Sequence, residues 1–216
     1  MGSSHTCVVT DDGDAYCWGR NNDGQLGDNT WTDNNLPTQV YTSASYASIS
    51  SGSKFNCAIT TTGAVQCWGT NSNMQLGLGY YYGDSAYPMD TDIPSGTEVA
   101  SIALGNEHAC AVTTEMSVYC WGHDSFYQLG TSYNCQQGDN TNGCYGWNDG
   151  NRHTPALSQL PTGRNGIAVA TGAYHTCVFI DNGGLYCFGR NDYNQIGTQM
   201  GSSTYGPWYI DFPTGV

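Results

Sequence analysis

Short apolar segments separated by turn residues run along the whole chain, and the first two predict a β-hairpin. Residues 6–10 and 14–18 are rich in β-branched and aromatic side chains, and Asp11-Asp12-Gly13 between them is a turn sequence. In such a hairpin Cys7 and Cys17 lie opposite each other, at a separation near the lower end of the range for a disulfide.

Both faces of this hairpin are apolar. Val9 shares the face of the cysteines, whereas Val8 and Trp18 point to the opposite face, because successive side chains alternate along a strand. The same two-sided pattern recurs at residues 57–68, 110–121 and 177–188. A small sheet that is apolar on both faces must pack between two others. Radial stacking of such sheets produces a β-propeller.

Two further strands complete each unit. A third strand is predicted ahead of each internal hairpin, at residues 46–50, 99–103 and 167–170, and a weaker fourth at 37–40 and 208–211. Four strands in a unit of roughly 50 residues match a propeller blade. Sustained helical periodicity is absent from the sequence, so the predicted fold class is all-β.

Each hairpin belongs to a longer motif that occurs four times. A Gly is followed by His or a substitute, then Cys-x9-Cys, an aromatic residue with Gly, and finally Gln-Leu-Gly or Gln-Ile-Gly. The motifs start at Gly2, Gly52, Gly105 and Gly172 and end at Gly27, Gly77, Gly130 and Gly197. Such a series indicates an array of one supersecondary unit.

The pattern Gly-x-x-His-[Thr/Ala]-Cys...Cys-Trp-Gly-x-Asn-x-x-Gly-Gln-Leu-Gly resembles the regulator-of-chromosome-condensation repeat, and its cysteine-bearing form resembles extracellular members of that family. The resemblance implies blades of a usually seven-bladed propeller that binds proteins through its loops and one ring face. The nuclear guanine-nucleotide exchange role of the family transfers poorly to a chain with disulfides. We expect one array over 1–216, with repeats at about 1–45, 46–98, 99–166 and 167–216 and a loop insertion at 131–153.

Four repeats are fewer than the usual closed ring contains, and the two ends of the array are complementary. The first repeat lacks the strand that precedes its Gly, and the last repeat stops where the next such strand is due. Two interpretations remain open. Copies of the chain complete one another in a ring or a head-to-tail filament, or the chain is excised from a longer propeller. Smaller departures are Phe55-Asn56 for His-Thr, Phe188 for Trp and Met116-Ser117 in place of a turn Gly.

The ten cysteines form five sequence pairs. Four are the repeated pairs, and the fifth lies in the insertion: Cys7 with Cys17, Cys57 with Cys67, Cys110 with Cys120, Cys177 with Cys187, and Cys135 with Cys144. We favour disulfides over zinc, because structural zinc sites use four ligands at tighter spacing such as Cys-x2-Cys. Disulfides point to an extracellular or cell-surface location.

Charge excludes two classes of partner. Five Lys and Arg against 18 Asp and Glu give a net charge of −13. Nucleic-acid binding needs clustered Lys and Arg, and anionic membranes attract basic segments. An apolar run long enough to span a bilayer is also absent from the sequence, so we expect no membrane insertion.

The sequence carries none of the common catalytic motifs, so we expect no catalytic residues and no enzyme. His5, His108 and His175 occupy one repeat position and are expected to hold backbone groups. No metal site or cofactor is predicted. Calcium stays open for the loops rich in Asp and Asn, although such residues also build ordinary turns. These are Asp11, Asp12 and Asp14; Asn21, Asn22 and Asp23; and Asp139, Asn140 and Asn142.

Aromatic residues outside the repeat pattern are the candidate binding residues. They are Tyr80, Tyr81, Tyr82, Tyr87, Tyr133, Tyr145 and Trp147. Tyr and Trp are enriched in interface hot spots, and their faces also stack on sugar rings. We expect a binding or structural module whose partner is a protein or a second copy of the chain, with glycan binding at the cell surface as the alternative and an enzyme or enzyme inhibitor as the least favoured interpretation. These side chains could equally cover the blade edges.

Overall fold

The described residues form fifteen β-strands in four antiparallel sheets. The structure is a computed structural model that describes residues 1–131, 150–197 and 204–210, with the side chains of 204–207 left aside. Blade 1 contains β1 (His5–Val9), β2 (Ala15–Gly19) and β3 (Asn34–Gln39), and blade 2 contains β4 (Tyr46–Ser51), β5 (Phe55–Thr60), β6 (Val65–Gly69) and β7 (Ser85–Asp90). Blade 3 contains β8 (Val99–Leu104), β9 (His108–Thr113), β10 (Val118–Gly122) and β11 (Arg152–Leu157), and blade 4 contains β12 (Gly166–Thr171), β13 (His175–Ile180), β14 (Leu185–Gly189) and β15 (Thr204–Ile210).

Every sheet is a simple meander, in which strands that follow one another in sequence also pair. The all-β propeller prediction is therefore confirmed. Among the described residues, blade 1 has three strands because the strand equivalent to β4, β8 and β12 is missing. The outermost strand of blade 1, β3, begins at Asn34, whereas the sequence predicted the last strand of this repeat from residue 37. Within the described residues no helix is long and apolar enough to cross a bilayer.

The hydrophobic core consists of three layers, one between each pair of neighbouring blades. In each layer the cysteine face of one blade packs against the aromatic face of the next. Blades 2 and 3 have neighbours on both sides, and every residue of β5 and β9 is buried. These strands are apolar on both faces because each lies between two neighbouring blades.

The four repeated cysteine pairs form disulfides across the central hairpins. Each joins directly opposed residues with a Cα–Cα distance of 4.1 Å and a sequence separation of 10. Chain entropy alone gives each such short loop a contribution of about 3 kcal/mol or less. The fifth predicted pair, Cys135 and Cys144, lies outside the described residues.

Candidate functional site

A polar seam joins blade 1 to blade 2. His5 Nε2 lies 2.9 Å from Asn56 Oδ1, and Asn56 Nδ2 donates to the carbonyl of Gln25 at 2.7 Å. His5 and Asn56 are both buried, so each needs a partner for its polar atoms. Since Asn56 Oδ1 is an acceptor, Nε2 of His5 carries the proton.

The seam between blades 3 and 4 has the same design. His108 Nε2 lies 2.9 Å from Thr176 Oγ1, and this hydroxyl donates to the carbonyl of Gln128 at 2.8 Å. The hydroxyl proton is committed to Gln128, so His108 Nε2–H must donate to Thr176. The other ring nitrogen, Nδ1, is buried with no hydrogen-bond partner among the described residues.

At the seam between blades 2 and 3 both partners are replaced by apolar residues. Phe55 stands at the histidine position and Ala109 at the Asn or Thr position, and both are fully buried in one apolar cluster. The repeat therefore has two matched forms, His with a polar side chain and Phe with Ala. The expectation that the histidines hold backbone groups needs correction. His5 and His108 each bond to a side chain of the next blade, and it is that side chain which donates to a backbone carbonyl.

The last glycine of each of the first three motifs receives the aromatic ring of the next blade. Gly27 has a φ of 67°, and a Cβ there would lie 2.6 Å from Trp68 Nε1, so this position requires glycine. Trp68 Nε1 donates to the carbonyl of Gln25 at 3.2 Å, and Trp121 Nε1 donates to that of Gln75 at 2.9 Å. The Gln-Leu-Gly element thus supplies a backbone carbonyl that accepts from the indole N–H of the next blade and a glycine without a Cβ on which the ring packs.

Burial shifts the pKa values of three side chains between or beside the blades. It lowers the pKa of His108 to about 3, with smaller contributions from the nearby His123 and His175. The pKa of His5 is also lowered, chiefly by burial. In the loop of blade 3, burial raises the pKa of Asp124 to about 8, against the Leu129 amide and Arg152, which lower it.

The loop that contains Asn21, one of those where calcium stayed open, is built by side-chain hydrogen bonds to the backbone, whereas Asp139, Asn140 and Asn142 lie outside the described residues. Asn21 Oδ1 accepts from the Leu26 amide at 2.8 Å, while its Nδ2 donates to the carbonyls of Thr30 and Thr32. Equivalent side chains in the other three blades accept from the equivalent amides: Asn71, Asp124 and Asn191. In the described part of the chain, no three His, Cys, Asp or Glu side chains gather as a cation would need.

Blade 1 has an open face, because among the described residues no blade precedes it. Val8 is 42% exposed, whereas Ala58 and Val178 at the same repeat position are 0% exposed. Trp18 is half-buried, while its equivalents in the other blades, Trp68, Trp121 and Phe188, are fully buried. Open face 1 is defined as Thr6, Val8, Tyr16 and Trp18.

Blade 4 has the opposite open face, on the side of its disulfide. Phe179 is 42% exposed, whereas Ile59 and Val112 at the same position are buried. His175, Cys177 and Leu185 on this side are half-buried. Open face 4 is defined as His175, Cys177, Phe179 and Leu185. The sequence predicted that the two ends of the array are complementary, but none of these residues was named as a binding residue. Comparing the histidine position of each repeat with the residue that follows the histidine position of the next repeat would have indicated His175 and Thr6.

Backbone hydrogen bonds also link the blades around the propeller axis. Ser3 N donates to Ser53 O, Ser53 N donates to Asn106 O, and Asn106 N donates to Ala173 O, at 3.1–3.2 Å. Each link joins the same repeat position in successive blades. The series runs in one direction, with donors pointing toward the following blade.

The predicted tyrosines of blade 2 lie at its outer edge and are exposed. Tyr80 and Tyr82 meet edge to face with ring centroids 6.2 Å apart, and a hydrogen bond to Tyr82 raises the pKa of Tyr87. Tyr81 is 62% exposed. Trp31, in the equivalent loop of blade 1, is exposed as well and was missed, although its position in the repeat would have indicated it. Three more predicted residues lie outside the described residues: Tyr133, Tyr145 and Trp147.

Family models support the repeat assignment directly. The regulator of chromosome condensation (RCC1) repeat matches residues 1–25, 46–75, 99–128 and 167–195, and a second model of that repeat matches 62–112 and 117–179. The chain belongs to the regulator of chromosome condensation repeat family. The four disulfides agree with the expected cysteine-paired form of this repeat.

Known RCC1-repeat proteins extend well beyond the length of this chain. The human E3 ubiquitin-protein ligase HERC2 is 29% identical over 91% of this chain and 4% of its own length. The Ultraviolet-B receptor UVR8 of Arabidopsis thaliana is 27% identical over 91% of this chain and 41% of its own. Yeast RCC1 (Prp20), solved with Kap60, has a TM-score of 0.82 and 21% identity, and the match covers 99% of this chain and 48% of that protein. This chain therefore spans about half of the solved propeller, and the likeness shows the fold.

Proposed function

We propose that this chain is a non-catalytic, extracellular protein-binding module whose open faces 1 and 4 bind a further blade, from a partner protein or a second copy. The observation that carries the proposal is the exposure of apolar residues whose counterparts at the internal interfaces are buried, with Val9 alone partly buried. Val8 and Phe179 are each 42% exposed on these faces. Fully burying an exposed side chain of this size is favourable by roughly 1.5–3 kcal/mol, and the fraction of that gain that corresponds to the surface still exposed remains available at each position.

Relatives support binding to proteins. Yeast RCC1 (Prp20) has been solved bound to Kap60, and a second solved structure of Prp20p is described with its binding properties to Gsp1p and histones. Those partners belong to the yeast protein. The HERC2 match covers 4% of that ligase, so no ligase activity is proposed for this chain.

Four disulfides support the extracellular location. Such bonds persist in oxidising compartments and are rare in the cytosol. The low content of charged residues, 11%, and the net charge of −13 fit a polar secreted surface. Digestion of intact cells of the source organism with an added protease tests this location, because an extracellular chain is accessible to the protease. A cytosolic pool with reduced cysteines would contradict the proposal.

The binding role is tested by light scattering on the oxidised chain over a range of concentrations. We expect the mass to rise above the 23.2 kDa of one chain. Val8→Asp and Phe179→Asp each place a charge on one open face, and each should return the mass to that of the monomer. Leu36→Asp is the matched control, because Leu36 is 66% exposed on the outer strand β3. Association that persists in both face variants would contradict the open faces as the site.

Glycan binding is the second candidate, favoured by the exposed tyrosines of blade 2. Tyr80, Tyr81 and Tyr82 present aromatic surface at one edge, and aromatic faces stack on sugar rings. A glycan array should retain the wild type and lose Tyr81→Ala. Tyr41→Ala, another exposed tyrosine change, is the control and should bind normally. Equal retention of both variants would remove this candidate.

A further inference from the structure

The seams between blades follow a rule of matched partners. His5 faces Asn56 and His108 faces Thr176, whereas Phe55 faces Ala109. A histidine against alanine would leave Nε2–H buried without an acceptor. A phenylalanine against threonine would bury a ring on a polar side chain in a space sized for alanine. The residue that follows the histidine position in one blade is therefore matched to the residue at the histidine position of the preceding blade.

The two ends of the chain carry matching halves of this rule. His175 on open face 4 is the histidine of a seam whose second blade is missing among the described residues. Thr6 on open face 1 is the hydroxyl side chain of a seam whose first blade is missing from that same part of the chain. Thr6 occupies the same repeat position as Thr176, which accepts from His108 at 2.9 Å. By the rule observed inside the chain, the two ends fit each other.

We propose that copies of this chain join head to tail, with open face 4 of one copy packed on open face 1 of the next and His175 of the first hydrogen-bonded to Thr6 of the second. The proposal rests on the proposed function and names a second copy as the occupant of the faces. The junction reproduces the layer of cysteine face against aromatic face that joins the blades within one chain.

Two other repeat positions fit the same register. Trp18 of the second copy would cover Gly197 of the first, as Trp68 covers Gly27, and its Nε1 would donate to the carbonyl of Gln195. In the single chain the nearest side chain to Gly197 is Ile210 of its own blade. Trp18 is the half-buried member of its series, which is the result expected for a ring whose receiving glycine lies on another copy.

The axial hydrogen bonds continue in the same direction. They run from Ser3 to Ser53, then to Asn106 and then to Ala173, always from an amide to a carbonyl of the following blade. The next step pairs Ala173 N of the first copy with Ser3 O of the second. The side chains, the aromatic ring and the backbone thus all continue the repeat in one register.

The pairing is tested by exchanging the two matched forms of the seam at the junction. His175→Phe and Thr6→Ala each create a mismatched junction and should weaken association roughly tenfold or more, since one buried polar group loses its partner. The double variant His175→Phe with Thr6→Ala has a matched apolar junction, like that of Phe55 and Ala109, and should associate within a few-fold of wild type. Unchanged thermal unfolding of the monomers shows that each variant folds.

Mixing the two single variants gives the sharper result. Each alone offers only mismatched junctions, but a 1:1 mixture offers His175 facing Thr6 and Phe facing Ala, so mass should increase on mixing. No increase on mixing, or no recovery in the double variant, would overturn the pairing. If Val8→Asp and Phe179→Asp still dissociate the assembly in that case, the proposed function stands and only the register is wrong. A wild-type chain that stays monomeric would overturn the second copy as occupant and leave a partner protein.

Discussion

At the scale of single residues, a histidine hydrogen bond links neighbouring blades at two of the three described seams. His108 uses Nε2 for Thr176, while its Nδ1 has no partner in the described part of the chain. The histidine therefore contributes a single donor, and phenylalanine can replace it wherever the acceptor is replaced too. Phe55 with Ala109 is this replacement within the same chain.

The seam of His108 and Thr176 should show strong thermodynamic coupling. Thr176→Ala leaves a buried N–H unpaired and should lower the free energy of unfolding by roughly 1–3 kcal/mol. His108→Phe overfills the site beside Thr176 and should cost a similar amount. The double variant should lie within about 1 kcal/mol of wild type, as measured by urea unfolding. Simple additivity of the two single losses would contradict the rule of matched partners.

The same histidine gives stability a defined pH dependence. The pKa of His108 is about 3 in the folded chain and 6.5 when unfolded, so the unfolded chain alone binds this proton between those values. Stability should therefore fall as pH drops from about 6.5 to about 3. Subtracting the unfolding profile of His108→Phe with Thr176→Ala from that of wild type isolates this loss. A flat difference across the window would contradict it.

Asp124 should act with the opposite sign. Burial raises its pKa from 3.8 to about 8, so between these values the folded chain holds a proton that the unfolded chain has lost. Stability should fall as pH rises through this window. Asp124→Asn, which installs the residue of the other three blades, should remove that fall and stabilise the chain on the order of 1 kcal/mol at pH 7. Urea unfolding of wild type and Asp124→Asn at pH 5 and pH 8 gives the free energy of unfolding of each. An equal stabilisation by the substitution at both pH values would contradict the titration of Asp124.

At the scale of strands and blades, position in the array decides how accessible each disulfide is. All four described disulfides close loops of the same sequence separation, so chain entropy predicts the same stabilisation from each. Burial differs. Cys57 and Cys67 are fully buried between two blades, whereas Cys177 lies half-buried on open face 4.

Reduction of the native chain should therefore begin at Cys177–Cys187. Limited dithiothreitol followed by alkylation and mass spectrometry should find this pair modified first and Cys57–Cys67 among the last. In urea the order should disappear, because burial no longer protects any pair. If copies join as proposed, protection should also increase with concentration, since the proposed junction would cover Cys177. Reduction of the blade 2 pair first would contradict this order.

The sequence predicted the hairpins and their cysteine pairing well, because Cys7 and Cys17 are joined by one turn and alternation along two short strands is local. The start of β3, the outermost strand of blade 1, was predicted three residues late, because Asn34 to Gln39 is an edge strand without a buried face and shows no alternation. The seam was missed for another reason. His108 and Thr176 are 68 residues apart, and their contact exists only when two blades pack.

At the scale of the whole molecule, the proposed junction has to form between chains of the same net charge. Each copy carries a net charge of −13, so copies repel one another through their acidic surfaces while apolar faces attract. Raising ionic strength shortens the screening length from about 30 Å at 0.01 M to about 8 Å at 0.15 M. Association should therefore strengthen with salt in light scattering. Weakening with salt would mean that ion pairs hold the junction instead.

Photo-crosslinking from position 179 tests the central claim most directly. Phe179 is replaced by benzoylphenylalanine, and the chain is irradiated as an equal mixture of light and ¹⁵N-labelled copies. We predict mixed-isotope crosslinks between position 179 of one copy and the segment from Thr6 to Trp18 of another. Crosslinks confined to single chains, or intermolecular ones that avoid this segment, would contradict the head-to-tail junction.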